Sequence, residues 1–336
     1  MNENDQLDFL AIGDIVTDAF IKLGDAWVDK DGTSATKGQG LCVVFGDKVP
    51  FESVKVVRAV GNSANAAVAA ARLGLKSGLV AWVGKDEEGA KCRETLRQNG
   101  VDDRFVGEDA SYPTNYHYVL QFGAERTILV KHAPWPYSFP EVAPAPKWLY
   151  LSSLAENSEA YHGEIADYVE RHPETKLAFQ PGTFQMKLGK ERLARIYARA
   201  EIFFCNKEEA ERILGIAPCS IPELLPQVRA LGPKIAVITD GPNGAYAQGE
   251  DGAILRVPMF PDRVPPVDRT GAGDATASTI VAALALGLPL AEALRWGPVN
   301  SASVVEKIGA QAGLLPRAEL ESRLAAAPAD YAVSKI

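Results

Sequence analysis

The stretch "VDRTGAGDATAS", Val267 to Ser278, sets an aspartate beside two glycines at the head of a run of small residues. Gly271 and Gly273 free the backbone to turn so that the amides of Gly271, Ala272 and Gly273 point at one spot. A helix begun near Ala272 adds the positive end of its dipole there. Such a spot suits a migrating phosphoryl group, whose transfer is catalysed mainly by positioning and electrostatic stabilisation. Asp274, on the first helical turn, then has the chemistry of a general base for an attacking hydroxyl. The pentapeptide leaves a second reading standing, in which Asp274 only complements the helix dipole.

Four further groups carry chemistry. In "CNKEEAERILG", Asn206 and Glu209 stand three apart where a strand meets a helix. They form either a capping box or a carboxylate site that organises hydrated Mg²⁺. "VGNSANAAVAAARLG" offers Gly61 for close approach and Asn65 as donor and acceptor to a hydroxylated ligand, or is simply an Ala-rich core helix. "GDIVTD" carries Asp14 and Asp18, either loop aspartates or carboxylates that accept sugar hydroxyls. "ITDGPNGAYA" is a strand and glycine turn, a plain hairpin or the floor of a nucleotide site.

Other chemistries lack their residues. Thr276 stands where a dinucleotide fingerprint begun at Gly271 needs glycine, and no Walker-type phosphate loop or G-x-S-x-G element is present. The four histidines, His117, His132, His162 and His172, lack metal spacing and are expected at the surface or satisfied in the core. Cys42, Cys92, Cys205 and Cys219 are scattered, and the polar start carries no signal peptide, so a cytoplasmic chain with reduced thiols is expected. A net charge of -8 argues against nucleic acid as a partner. The most apolar segment, Thr279 to Leu294, breaks at Gly287 and contains Pro289 and Glu292, which argues against a membrane span.

These residues need a frame. The 336 residues are 47% hydrophobic, enough for a sizeable core. Short apolar runs ("LDFLAIG", "SGLVAWVG", "KWLYLS", "KLAFQ", "IFFCN", "KIAVIT") alternate with helical segments at Asp86 to Gly100, Glu159 to Arg171, Lys207 to Leu214 and Pro222 to Ala230. That alternation predicts a mostly parallel sheet covered on both faces. Asn115 to His132 predicts a hairpin turning near Gly123, and 22–58 predicts strands and loops outside the main sheet. Together they suggest a small β lid, inserted from about 22–58 and 113–132 into one domain spanning 1–336.

In this order the pieces resemble the PfkB, or ribokinase-like, family of carbohydrate and nucleoside kinases, from about Asp8 to about Pro316. "VGNSANAAVAAARLG" with "AWVGKDEEGAKCRETLRQNGVD" looks like its N-terminal signature, and "PVDRTGAGDATASTIVAALALG" like its C-terminal one. "CNKEEAERILG" is similar to its N-x-x-E element, "VITDGPNGAYA" to its nucleotide turn, and "WGPVNSASVVEKIGAQAG" to the helix and loop beside adenine. The resemblance implies a three-layer α/β/α body with a mostly parallel central sheet and a small β-sheet lid. It implies Asp274 as base, with Gly271, Ala272 and Gly273 as anion hole. Asn206 and Glu209 would organise Mg²⁺ near the phosphates of ATP. Thr239, Gly241 and Gly244 would line the nucleotide site, with Asn300 near the base. Asp18, Gly61 and Asn65 would hold acceptor hydroxyls. K⁺, as in many members, would sit at Asp268 and Thr270 with backbone near Gly309.

Departures from the family pattern are Val60 for a paired glycine, Arg269 for a common threonine, and "FQPGTFQ" for a segment that is often acidic. The expected function is transfer of the γ-phosphoryl of ATP to a hydroxymethyl group of a small sugar. A nucleoside kinase is the alternative, and a catalytically silent sensor a more distant one. A phosphosugar acceptor would need a basic cluster in the lid, for which Lys37, Lys48 and Arg126 are candidates. An exposed lid sheet would allow a homodimer through the lid.

Overall fold

The computed structural model describes residues 5–29, 39–123 and 125–336. Lys37 and the rest of 30–38 lie outside the described residues. Among the described residues the central sheet has 11 strands, and its parallel core runs in the spatial order Ile235–Thr239, Ala200–Asn206, Lys176–Phe179, Trp148–Leu151, Phe9–Ile12, Ser77–Gly84. Beyond Ile235–Thr239 the strands Ala245–Gln248, Ile254–Val257 and Ser334–Lys335 continue antiparallel.

Alternate residues of each buried strand feed opposite layers, as the pleat requires. Phe9 and Ala11 join Tyr150, Ala178 and Phe204 under helices Asn62–Arg72, Ala272–Ala285 and Leu290–Val304. Leu10 and Ile12 join Leu149, Phe179 and Phe203 under helices Glu159–Arg171, Lys207–Leu214 and Ile221–Arg229. The helix Asn62–Arg72 buries small residues, Ser63 and five alanines among them, so it packs close to the sheet and to Ala272–Ala285. A turn at Gly287, with φ 87°, separates Ala272–Ala285 from Leu290–Val304, and among the described residues no helix is long and apolar enough to cross a membrane.

A separate four-stranded sheet orders its strands Glu125–Leu129, Tyr116–Phe122, Val16–Leu23, Phe51–Val60. Its first strand starts well before Lys22, so Asp18 stands on a strand of this sheet and not in a loop. Register sets its two faces. Asp18 pairs with His117 and Val57, and Phe20 with Lys55, so these side chains share the face toward the main body. Val54, Val56, Tyr118 and Leu129 take the other face and are exposed. A short hairpin of Trp27–Asp29 and Gly40–Cys42 accompanies the sheet.

Candidate active site

The parallel strands end on one side. Ile12 pairs with Leu151 and Leu151 with Phe179, and Asn206 pairs with Thr239. The chain therefore leaves the sheet there at Asp14, Ser152, Gln180, Asn206 and Thr239 along a single edge. Strand Phe9–Ile12 has Ser77–Gly84 on one side and Trp148–Leu151 on the other. Successive crossovers diverge at that point, which opens a crevice at the carboxyl ends of the strands.

The turn at Gly271 crosses this crevice. Gly271 has φ 82°, a left-handed conformation, and an added Cβ would lie 2.3 Å from the Cβ of Ala310. Only glycine fits both conditions. Helix Ala272–Ala285 starts at once, with Asp274 in its first turn. The amide of Ala272 makes a long 3.4 Å bond to the Arg269 carbonyl. A Cβ on Gly273 would meet nothing within 4 Å, so the backbone there faces open space.

The turn is a wall between two cavities. One, of about 430 Å³, is lined by Thr239, Gly241, Gly244, Arg269, Ala272 and Gly273. The other, of about 420 Å³, holds Asp18, Gly61, Asn65, His117, Thr270 and Asp274 among its lining residues. Backbone at the helix start thus opens to one side, and the carboxylate of Asp274 to the other.

Three amides hold that carboxylate. Asn62 Nδ2 and Gln180 Nε2 donate to Oδ1 at 2.9 and 3.2 Å, and Asn65 Nδ2 donates to Oδ2 at 2.9 Å. Burial pushes the Asp274 carboxyl above the usual aspartate range, and the three hydrogen bonds counter that rise in part. Asn65 is largely spent on this task, because its Oδ1 accepts Gln311 Nε2 at 3.0 Å. It orients the Asp274 carboxylate and has little capacity left for a ligand hydroxyl. Gly61, with φ 109°, would set a Cβ 2.7 Å from the Asp14 carbonyl, so the chain passes there only as glycine.

The cavity that holds Asp274 contains two imidazole–carboxylate pairs. His132 Nδ1 lies 2.8 Å from Asp14 Oδ2, and Tyr137 donates to Asp14 Oδ1 at 2.6 Å. His117 Nδ1 lies 3.4 Å from Asp18 Oδ1. Among the described residues, Asp18 Oδ1 and His117 Nε2 are buried without a hydrogen-bond partner. Two histidines expected at the surface or in the core therefore line a cavity: parallel pairing of distant strands brings His117 to Asp18, and His132 packs beside the His117 ring and reaches Asp14. His162 and His172 behave as expected, one satisfied in the core by Ser158 and Gln185, the other beside Glu174 at the surface.

The remaining candidates divide. Asn206 and Glu209 form the full capping box, with Glu209 N donating to Asn206 Oδ1 and Asn206 N to Glu209 Oε2, each at 2.8 Å. Burial raises the Glu209 carboxyl, and its Oε1 makes no hydrogen bond among the described residues. Asn300 does not line the cavity of Thr239 and Gly273. It is 0% exposed, donates to Thr279 Oγ1 and accepts the Leu315 amide, so its amide ties two core elements together. Its neighbours Pro298 and Ser301 line the cavity instead. Asp268 accepts Thr270 N and Oγ1 at Oδ1 and Gly309 N at Oδ2, with the Arg126 guanidinium 3.7 Å away.

Sequence reasoning missed Asn62, Gln180 and Arg269 as site residues. Asn62 lies inside the quoted N-terminal signature. Gln180 lies in the segment that departs from the family pattern, and that departure was its signal. Arg269 lines the cavity of Thr239 and Gly273, and its side chain has no partner among the described residues.

A family model described as pfkB family carbohydrate kinase matches residues 45–318. The chain is 28% identical over 277 residues to a nucleoside kinase of Methanothermobacter thermautotrophicus, covering 79% of this chain and 84% of that one. It is 30% identical over 272 residues to a ribokinase of Bacillus subtilis, covering 79% and 87%. The fold matches that of Arabidopsis thaliana ribokinase, solved with ribose and ATP, with a TM-score of 0.77 at 17% identity over 95% of this chain and 99% of that one.

Proposed function

The chain belongs to the pfkB family of carbohydrate kinases, and on that premise we propose that it moves the γ-phosphoryl group of ATP to a hydroxymethyl group of a small sugar, with Asp274 as general base. The observation that carries this is the wall at Gly271–Asp274, with helix-start backbone on one side and the carboxylate on the other. The acceptor hydroxyl gives its proton to Asp274 as its oxygen bonds to phosphorus, and the bond from phosphorus to the leaving oxygen of ADP breaks. The amides of Gly271, Ala272 and Gly273 and the helix dipole stabilise the charge on the migrating group. Thr239, Gly241, Gly244 and Arg269 receive the nucleotide. Asp18 and His117 receive acceptor hydroxyls, which satisfy the two orphaned atoms. Closing the small sheet over the crevice would exclude water.

The residues fit Mg²⁺ in one manner. Among the described residues no three His, Cys, Asp or Glu gather around a point. Mg²⁺ would be held by the nucleotide phosphates and by Glu209 Oε1 through water, next to Asn206, and would neutralise phosphate charge. K⁺ fits less well. Both oxygens of Asp268 already take hydrogen bonds, and Arg126 stands beside them. Asp268 and Thr270 brace the loop against the Gly309 turn, and activity is expected to persist without K⁺.

One observation favours a nucleoside as acceptor. Ile128, Val130 and Phe184 line the cavity that holds Asp18, which gives an apolar surface that a free sugar would not cover. The exposed outer face of the small sheet, with Val54, Val56, Tyr118 and Leu129, supports pairing of two copies through that face. ADP release across pentoses, hexoses, keto-sugar acids and nucleosides, with and without K⁺, tests the reading. Release with free sugars alone supports the sugar, release with nucleosides alone supports the alternative, and none with any alcohol overturns the kinase assignment. Sedimentation tests the pairing, since Val54→Lys should yield monomers.

A further inference from the structure

Each amide that holds Asp274 could face it with an N–H or with a carbonyl, and only the N–H stabilises the carboxylate. Something must set that orientation. For Asn65 it is Gln311, which donates to Asn65 Oδ1 and also to the Ala59 carbonyl. For Gln180 it is Tyr150. This tyrosine stands on the central strand Trp148–Leu151, is 0% exposed, and stacks its ring on Phe9 with centroids 5.4 Å apart. Its hydroxyl donates to Gln180 Oε1, and Gln180 Nε2 donates onward to Asp274 Oδ1.

We infer that Tyr150 is a positioning residue for the base, holding the Gln180 amide with its N–H toward Asp274 through a hydroxyl that never meets substrate. The inference rests on Asp274 being the base. Donation by the phenol satisfies the amide carbonyl and polarises the amide, which strengthens its onward bond to the carboxylate. Burial and the nearby charge of Asp274 hold the phenol far above its ordinary pKa, so it stays a donor over the working range. Without the hydroxyl, a buried carbonyl loses its partner, and the amide gains by turning that oxygen toward a protonated Asp274.

The charged and titratable groups that look onto Asp274 are Glu209 beyond the strand ends, and Asp14, Asp18, His117, His132 and Lys187 around the acceptor-side cavity. All of them are present in both wild type and Tyr150→Phe, so a difference between the two profiles reports the hydroxyl. The experiment is the pH profile of kcat/KM from about pH 5 to pH 9 for wild type, Tyr150→Phe, Gln180→Leu and the double variant. Phe keeps the ring in the core, and thermal unfolding checks the fold.

The acid limb should move up by about half to one pH unit in Tyr150→Phe, with the high-pH plateau kept. Gln180→Leu should move it at least as far, and the double variant no further than Gln180→Leu alone. An unmoved limb in Tyr150→Phe, a uniform loss at every pH, or additive shifts in the double variant would each overturn the relay. Asp274→Asn separates this from the parent reading. If that variant still turns over, the base assignment fails. If it is inactive while Tyr150→Phe leaves the limb in place, only the relay fails.

Discussion

The two sides of the Gly271–Asp274 turn are built from different materials. The side proposed for the nucleotide joins two glycine-containing turns, Thr239 to Gly244 at one strand end and Arg269 to Gly273 at one helix start, to an apolar wall from Met259 to Pro261 and from Pro298 and Val305. The acceptor side is made of side chains from scattered elements, with Asp14 after the first strand, Asp18, His117 and Ile128 on the small sheet, Asn62 and Asn65 on a helix, and Phe184 and Lys187 beyond Gln180. A backbone cradle suits a ligand part that is the same in every turnover. A cage of side chains can be re-set for a particular acceptor.

Substitutions can break or sharpen that contrast. The largest effect belongs to the residue that serves both sides in the reaction. Asp274→Asn should lower kcat by about 10³-fold, within the usual range for a general base, while ATP still binds by calorimetry. In wild type, burial raises the Asp274 carboxyl, so its base form is lost as the pH falls through that raised pKa. The acid limb of kcat/KM should therefore lie above the ordinary aspartate value. Next is Asp18→Ala, which should raise the acceptor KM by about 10- to 100-fold, as loss of a charged hydrogen bond does, and leave the ATP KM unchanged. Equal weakening of both ligands would dissolve the distinction between the two sides.

Arg269→Ala tests the nucleotide side. It should raise the ATP KM by about tenfold and spare the acceptor, because an exposed guanidinium makes a charge-assisted contact partly screened by water. The smallest effect is expected of Lys187→Ala. Lys187 lines the acceptor-side cavity and has no carboxylate partner among the described residues, although its ammonium lies over the Phe184 ring at 5.3 Å from the centroid. A neutral acceptor should register less than about a threefold change in KM. A loss of tenfold or more would mean that the acceptor carries an anionic group.

Much of the scaffold was legible along the chain. The helices Glu159–Arg171 and Lys207–Leu214 have the bounds that periodicity and caps predict, and Asp86 caps its helix by accepting the Gly89 amide at 2.7 Å. The hairpin Tyr116–Phe122 with Glu125–Leu129 follows from period-two alternation around a glycine turn. Within the candidate site, Thr239, Gly241, Gly244, Ala272, Gly273 and Asp274 were legible because each belongs to a local device, a strand with its glycine turn or a glycine turn that opens a helix. Asn300 misled for the complementary reason. Its place in a motif near the cavity was readable, but the rotation that buries its amide against Thr279 and Leu315 was not.

By itself the sequence determined the alternation of strands and helices and the glycine turn that ends in Asp274, which rest on neighbours within a few residues, and the membership of a kinase family, which rests on the order of such local motifs along the chain. Only the tertiary structure decided which polar groups meet. Gln180 reaches Asp274 across 94 positions, His132 reaches Asp14 across 118, and Gln311 reaches Asn65 across 246. Such pairs leave no period and no spacing in the chain. They exist because parallel pairing brings the strand ends to one edge, and because a buried carboxylate must find donors wherever the fold supplies them.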